Sequence, residues 1–260
     1  MVKLSENCII CDNHPEGIDF VSNGEVRFVR CPECSLIWRI FPEQDPTNYD
    51  DSSYFEGGYE KKRRRRINKS LEQLSYIEKF IDRKENLLEI GCSVGYFLEA
   101  AGLKGWHPVG TDISEYAVNR CNEQGYEAYC KDLSELIETG ETYQVVALKH
   151  VFEHFPDPVD KVNEFKKLLK PGGLLVINVP NGKYYKARLL KGNYKKFFSA
   201  AQGGYQHYFY YNHNNLADLM QKQGFKTLMI NTPLNNLLDR VSLSKEIFSV
   251  FQINNPSPER

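Results

Sequence analysis

A chain of 260 residues has room for one large domain, or for one of ordinary size with a small appendage. Apolar residues make up 41% and charged residues 26%, the balance of a folded globular protein, which excludes a disordered one. Lys and Arg number 33 against 34 Asp and Glu, so no global field draws the chain to nucleic acid or to an anionic membrane. The first residues, MVKLSENCII, hold no apolar run of signal-peptide length, and no stretch approaches a membrane span. The expectation is a cytoplasmic protein without membrane insertion. Its oligomeric state is not written in any pattern.

The first element in chain order is a cysteine pattern. Cys8, Cys11, Cys31 and Cys34 form two C-x2-C turns, "CIIC" and "CPEC", while Cys92, Cys121 and Cys130 are scattered. In a reducing compartment such paired turns read as four thiolate ligands for tetrahedral zinc, and not as disulfides. Between them, "GIDFVSNGEVRFVR" alternates apolar and polar positions about Asn23-Gly24, the mark of a hairpin. Knuckle, hairpin, knuckle predicts a zinc ribbon over residues 1–45, with a structural Zn2+ because four cysteines leave no open coordination position. A segment this short cannot bury a sufficient core, and the metal makes up the deficit. The ribbon could bind RNA, pair subunits or wall a substrate site.

Residues 46–85 read as a linker followed by a helix. "TNYDDSSYFEGGYE" is polar and aromatic, and "KKRRRR" (Lys61 to Arg66) opens an amphipathic segment with Ile67, Leu71, Leu74, Ile77 and Ile81 on one stripe. The basic run is read as the solvated first turns of that helix, ahead of a phosphate-binding role.

From Asn86 onward strands and helices alternate: "LLEI", "PVGTDI", "YEAYC", "YQVVALKH" and "GGLLVINV" as strands, with helical stretches such as "SEYAVNRCNEQG" and "VDKVNEFKKLLKPGG" between them. That rhythm predicts an α/β fold with a parallel sheet covered by helices on both faces. "FKTLMIN" and "SKEIFSVFQI" are two further strands, expected to pair at the sheet edge. "NLLEIGCSVGYF" places a glycine-spaced turn between the first strand and its helix. It departs from the dinucleotide pattern G-x-G-x-x-G, with Ser93 and Tyr96 at the second and third glycine positions. Such a loop suits a ligand without a pyrophosphate. Asp112 ends the second strand about twenty residues on, where a carboxylate can accept both hydrogen bonds of a ribose diol, and Asp132 follows the third strand.

"LLEIGCSVGYFLEAA", "GTDIS", "KDL", "KHVFEHFPDP" and "LLKPGGLLVINVPN" resemble the successive motifs of class I S-adenosylmethionine-dependent methyltransferases, in the branch with E-H-x-x-D-P after the fourth strand. The likeness runs from about Asn86 to Asn231. It implies a seven-stranded, mostly parallel Rossmann-like sheet with an antiparallel edge strand, a methyltransferase domain over residues 86–260, and a substrate-covering insertion over 182–212. It implies S-adenosyl-L-methionine as cofactor, with Glu89, Gly91, Cys92 and Gly95 around its methionine end. Asp112 would hold the ribose, Ile113 would lie against adenine, and Asp132 with Leu133 would frame the base. Lys149 and His150 would sit beside the sulfonium. Ser93 is the departure, since glycine is commoner there. Tyr59, with Tyr54 and Phe55, is expected to fold over the cofactor as one side of a lid.

Methyl transfer to a hydroxyl needs a proton acceptor, and histidine is the natural one near neutral pH. His207 ranks first, because it lies in the segment that covers the acceptor. His154 with Glu153 is the second candidate, His150 is a third, and His213 is placed near a helix cap. Glu153 and Asp157 alone do not make an octahedral oxygen site, so no catalytic divalent metal is assigned. The insertion is basic and aromatic, which suits an acceptor with ring faces and anionic groups. Zinc-ribbon chains of this type resemble sugar C-methyltransferases and polysaccharide-modifying methyltransferases. The former carry a further C-terminal domain without a counterpart here, which turns the expectation to O-methylation of a sugar, nucleotide-sugar or glycan hydroxyl. The second reading is an RNA base methyltransferase using the ribbon and basic segments. A third is a non-catalytic cofactor-binding regulatory module.

Overall fold

The computed structural model describes residues 7–13, 19–22, 27–41, 62–184, 207–231 and 245–254. Tyr54, Phe55, Tyr59, the Asn23-Gly24 turn and most of the 182–212 insertion lie outside them. Among the described residues no helix is long and apolar enough to cross a membrane. The chain divides into two compact units, one of 1–47, 150–162 and 177–249, the other of 48–149, 163–176 and 250–260.

The second unit carries the glycine-spaced loop. Helix α1 (Arg63–Ile77) buries Ile67, Leu74 and Ile77 as the periodicity predicts, and adds the polar Ser70 and Gln73 to the same face. Leu71 is only half-buried. Two members of the basic run are structural: Arg63 pairs with Glu99, and Arg66 lies over the Tyr96 ring at 6.0 Å. Arg64 and Arg65 are exposed, so the solvated-turn reading holds for two of the four arginines of the run.

Strand β4 (Asn86–Ile90) follows, then α2 (Tyr96–Leu103), β5 (His107–Thr111), α3 (Glu115–Glu123), β6 (Glu127–Tyr129), α4 (Leu133–Glu138) and β7 (Tyr143–Lys149). Parallel pairing joins β4 to β5, β5 to β6 and β4 to β7. The chain therefore steps outward from β4 and then returns to its other side, and ligands in such sheets gather at the carboxyl ends where the order reverses. Leu87, Leu88, Val145, Val146, Ala147 and Leu148 are buried, as expected of strands covered on both faces. Close packing between β5 and α2 rests on Gly110: a Cβ there would lie 2.7 Å from both Cys92 Sγ and Leu98 Cδ1.

Helix α5 (Pro158–Leu168) leads into β8 (Leu169–Pro180), and β10 (Phe225–Asn231) and β11 (Glu246–Ile253) complete the sheet. The order is β10-β11-β8-β7-β4-β5-β6, seven strands, mostly parallel with an antiparallel edge. β10 and β11 are neighbours, as the sequence predicts.

The first unit holds a second sheet, built from β1 (Asp19–Ser22), β2 (Arg27–Arg30), β3 (Ile37–Phe41) and β9 (Phe209–Tyr210). β1 and β2 pair antiparallel on either side of the expected hairpin turn, and β3 pairs with β2. The fourth strand comes from the far end of the chain: Ile37 stands opposite Tyr210 and Trp38 opposite Phe209. Phe28, Leu36, Ile37, Trp38, Phe209 and Tyr210 are all buried around this junction. Helix α6 (His213–Lys222) follows at once, with His213 in its first turn, beside the cap as expected.

Gly110→Ala is expected to destabilise the protein by about 1–3 kcal/mol through overpacking, with part of the loss restored by adding Cys92→Ala. Urea unfolding of the single and double variants checks this, and an unchanged Gly110→Ala midpoint would show that the β5–α2 contact yields freely.

Candidate functional site

At the end of β4 the backbone must reverse within a few residues to start α2. Gly91, Ser93 and Gly95 all take positive φ (72°, 51° and 82°). Gly95 is the N-cap of α2, and a Cβ on it would sit 2.9 Å from Cys121 Sγ. Ser93 is the informative member. It accepts a left-handed conformation that glycine adopts without strain, and its N–H donates to Asp112 Oδ2 at 2.8 Å. Asp112 Oδ1 accepts the Ser114 N–H at 3.0 Å, so one carboxylate ties the loop after β4 to the turn after β5.

Two polar atoms in this loop region, Glu89 Oε2 and Ser93 Oγ, are buried without a hydrogen-bond partner among the described residues. Burial pushes the Glu89 carboxyl up to about 8; Lys149 opposes the shift and Asp112 adds to it. A buried acid held neutral by desolvation, beside an unsatisfied hydroxyl, fits a ligand that brings a cationic, hydrogen-bonding group. Lys149 Nζ meets Ser70 Oγ at 2.8 Å and lies 4.4 Å from the Phe97 ring centre, so α1 reaches the end of β7.

The residues expected at the adenine divide. Ile113 is 65% exposed, an apolar surface at the tip of β5 suited to an aromatic ring. Leu133 is buried at the start of α4. Asp132 caps that helix: its Oδ1 accepts the Glu135 N–H at 2.9 Å and the Ser134 hydroxyl at 2.6 Å. Cys92 turns its side chain into a core with Leu98, Val118, Cys121 and Ala128, which leaves its backbone as the part that lines the loop.

In the first unit the turn after β7 assembles a second cluster. His150 takes φ 59°, a conformation disfavoured for a non-glycine residue. Its Nδ1 lies 3.5 Å from Glu153 Oε1, and its Nε2 lies 3.5 Å from Glu246 Oε2 and 3.0 Å from Asn178 Nδ2. Desolvation lowers its pKa, but the two carboxylates outweigh this and raise it to about 9. Glu153 is fully buried; burial alone would raise its pKa, and the three surrounding imidazoles bring it below the usual carboxylate value. His207 Nε2 is 3.8 Å from Glu153 Oε1, and the His154 ring stands edge-on to His207 at 4.8 Å. Burial drives His207 down to about 4 against the pull of Glu153, so it is neutral at pH 7, with no hydrogen-bond partner for Nδ1 among the described residues.

Two of the three candidate catalytic residues are sequence neighbours and the third, His207, joins them through the fold. Glu153, His154 and His207 each present a ligand atom within 4.8 Å of the others, an arrangement that could hold a cation; Asp157 is not part of it. Glu246 and Asn178 escaped the sequence reading, because neither lies in a motif and strand pairing alone brings them to His150. His213 is set apart in the first turn of α6, its pKa lowered by burial and by Lys183.

The four N-terminal cysteines also converge, their sulfurs within 4.8 Å of one another. Both turns make the same bonds: Asp12 N–H to Cys8 O and Ser35 N–H to Cys31 O, with Cys8 N–H to Asn13 O and Cys31 N–H to Leu36 O. Asp12 and Ser35 both take positive φ (57° and 61°). Cys8 and Cys34 sulfurs are 3.6 Å apart, too far for a disulfide. Hydrogen bonding from Cys34 holds the Cys8 thiol down at about 5. This arrangement is compatible with a small zinc site.

A family model described as a methyltransferase domain matches residues 59–229, more than half of the chain. The chain belongs to that family. It carries a class I S-adenosylmethionine-dependent methyltransferase domain of Rossmann-like fold. A ubiquinone biosynthesis O-methyltransferase of Coxiella burnetii is 30% identical over 116 residues, 42% of this chain and 50% of that protein. The counterpart from Marinobacter nauticus is 28% identical over 119 residues. The chain thus spans about half the length of the curated relatives it matches. Among solved structures, the plantazolicin methyltransferase BpumL with a pentazolic analogue and SAH has TM-score 0.56 at 16% identity, covering 78% of this chain and 89% of that one. A SAM-dependent methyltransferase from Archaeoglobus fulgidus has TM-score 0.54 at 16% identity, covering 77% and 97%. At such identities these likenesses establish the fold.

Glu89 yields a pH prediction. Below pH 8 its carboxyl is protonated in the free protein, whereas a cationic ligand group beside it favours the carboxylate, so binding releases a proton. Affinity for S-adenosylmethionine is therefore expected to tighten from pH 6 to pH 8, by at most roughly tenfold per unit, and Glu89→Gln should remove the slope. Calorimetric titrations at three pH values decide; a flat profile in the native protein would remove Glu89 from the cofactor site.

Proposed function

We propose that the protein transfers a methyl group from S-adenosyl-L-methionine to a hydroxyl of a small molecule or saccharide, with a sugar, nucleotide sugar or glycan as the acceptor class. The observation that carries this reading is the buried, neutral His207, with Nδ1 unengaged and Nε2 directed at the buried carboxylate of Glu153. The cofactor, when bound, supplies a methyl carbon activated by a positive sulfur. As the acceptor hydroxyl takes up that methyl group, its proton would pass to the His207 imidazole, whose unengaged nitrogen is Nδ1. Glu153 then stabilises the imidazolium that burial alone would disfavour. His154, edge-on to His207, restricts its ring orientation. His150, held cationic between Glu153 and Glu246, offers a positive charge to an anionic acceptor.

For the cofactor we assign the loop backbone of Gly91, Cys92 and Gly95, the carboxylates of Glu89 and Asp112, the apolar surface of Ile113 and Leu133, and Lys149. The four cysteines are proposed to hold one structural Zn2+. Functionally the chain is read as a ribbon over 1–45, a linker and lid helix over 46–85 and a methyltransferase domain over 86–260. RNA as acceptor is less well supported, because Arg63 and Arg66 of the basic run are occupied by Glu99 and Tyr96.

His207→Ala is expected to lower methyl transfer by about 10²–10⁴-fold with cofactor affinity unchanged, whereas Asp112→Ala should abolish cofactor binding. Transfer of labelled methyl into cell extract, with and without nuclease, supplies the assay. Label in a nuclease-resistant saccharide or nucleotide-sugar pool supports the reading, and label lost to nuclease transfers the function to RNA. Retention of most activity in His207→Ala would refute the assignment of the base.

A further inference from the structure

The four-cysteine region is joined to the cluster around Glu153 by hydrogen bonds and by the short chain segment that leads from Cys34 into β3. The carbonyl of Cys34 accepts the side-chain amide of Asn212 at 3.0 Å and that of Asn215 at 3.3 Å. These are the N-cap and third residues of α6, and each already spends its Oδ1 on the cap. Asn212 Oδ1 accepts the N–H groups of Asn214 and Asn215, and Asn215 Oδ1 accepts the N–H of Asn212. Aspartate would cap a helix equally well and suit its dipole better. What asparagine adds at both positions is a donor, and Cys34 O receives both. At the opposite end of α6, Lys222 Nζ donates to Ile10 O, between the first two cysteines. The two cysteine turns therefore grip the helix at its two ends.

Three residues beyond Cys34, β3 begins and carries the connection onward. It pairs with β9, Arg39 N–H donates to Tyr208 O at 3.0 Å, and Tyr208 N–H donates to Glu153 O at 2.8 Å. The Arg39 guanidinium lies 4.3 Å over the Tyr208 ring. His207 is the residue immediately before this junction. β9 has two residues and, among the described residues of its sheet, pairs with β3 alone; a strand so short holds no conformation by itself. A ribbon of this size is itself ordered by its metal.

We propose that metal bound at Cys8, Cys11, Cys31 and Cys34 sets the position of His207 against Glu153, with Asn212 and Asn215 as the positioning residues that transmit it. The inference rests on reading the four cysteines as a metal site, and it assigns the ribbon to the acceptor side of the reaction, in place of docking RNA or a partner.

The full-length protein is compared as purified, after metal removal with a chelator, and as the Asn212→Asp/Asn215→Asp variant, which keeps both capping acceptors and loses both donors to Cys34. Metal content is measured first, then amide hydrogen exchange in peptides covering 207–216, then affinity for S-adenosylmethionine. One metal per chain is expected. Both treatments should speed exchange over 207–216 by roughly tenfold or more while cofactor affinity stays within about twofold. Removing metal from the double variant should add less than it does to the native protein, since both act on one connection. Asn215→Asp alone, which cuts only the longer bond, gives the same direction with a smaller effect. A metal content near zero overturns both the metal-site reading and this inference. Stoichiometric, removable metal with unchanged exchange over 207–216 overturns the inference alone, as does equal loss of cofactor affinity.

Discussion

One carboxylate fixes the geometry on which the glycine-spaced loop after β4 depends. Asp112 accepts an N–H from the loop after β4 and another from the turn after β5, so two independent chain reversals share one anchor. The loop needs that anchor because three of its five residues hold positive φ, and Ser93 does so without glycine's freedom. A charge-assisted bond to the Ser93 N–H offsets the strain. The same carboxylate adds to the field that keeps Glu89 protonated, so loop shape and acid strength are set together.

The cluster after β7 is organised by a different constraint, the burial of Glu153. A fully buried carboxylate is costly unless cationic or donor groups surround it. Three imidazoles do so, and the environments separate their roles: His150, beside two carboxylates, is pushed toward the charged form, whereas His207, more deeply desolvated, is pushed toward the neutral one. Opposite shifts in neighbouring titratable groups are a recurring feature of acid–base sites.

Periodicity and spacing made the sheet legible. Leu87 and Leu88, and Val145 to Leu148, lie in apolar runs that only a doubly covered strand explains, and the knuckle spacing located four sulfurs that converge. The basic run was half legible: charge alone does not tell Arg64, which faces solvent, from Arg63, which meets Glu99 on another helix. Asp132 shows a related limit, since an aspartate after a strand is equally a ligand contact and a helix cap, and here the capping bonds are made.

By itself the sequence determined the features that depend on near neighbours in the chain. These are the strand–loop–helix around Gly91 to Gly95, the paired cysteine turns, the helix cap near His213 and the family to which the motifs belong. Only the tertiary structure decided which distant residues meet. It brought His207 to Glu153, Glu246 and Asn178 to His150, and β9 to β3, because each approach is fixed by strand pairing and burial. Those are interactions between segments whose separation along the chain leaves no local pattern to read.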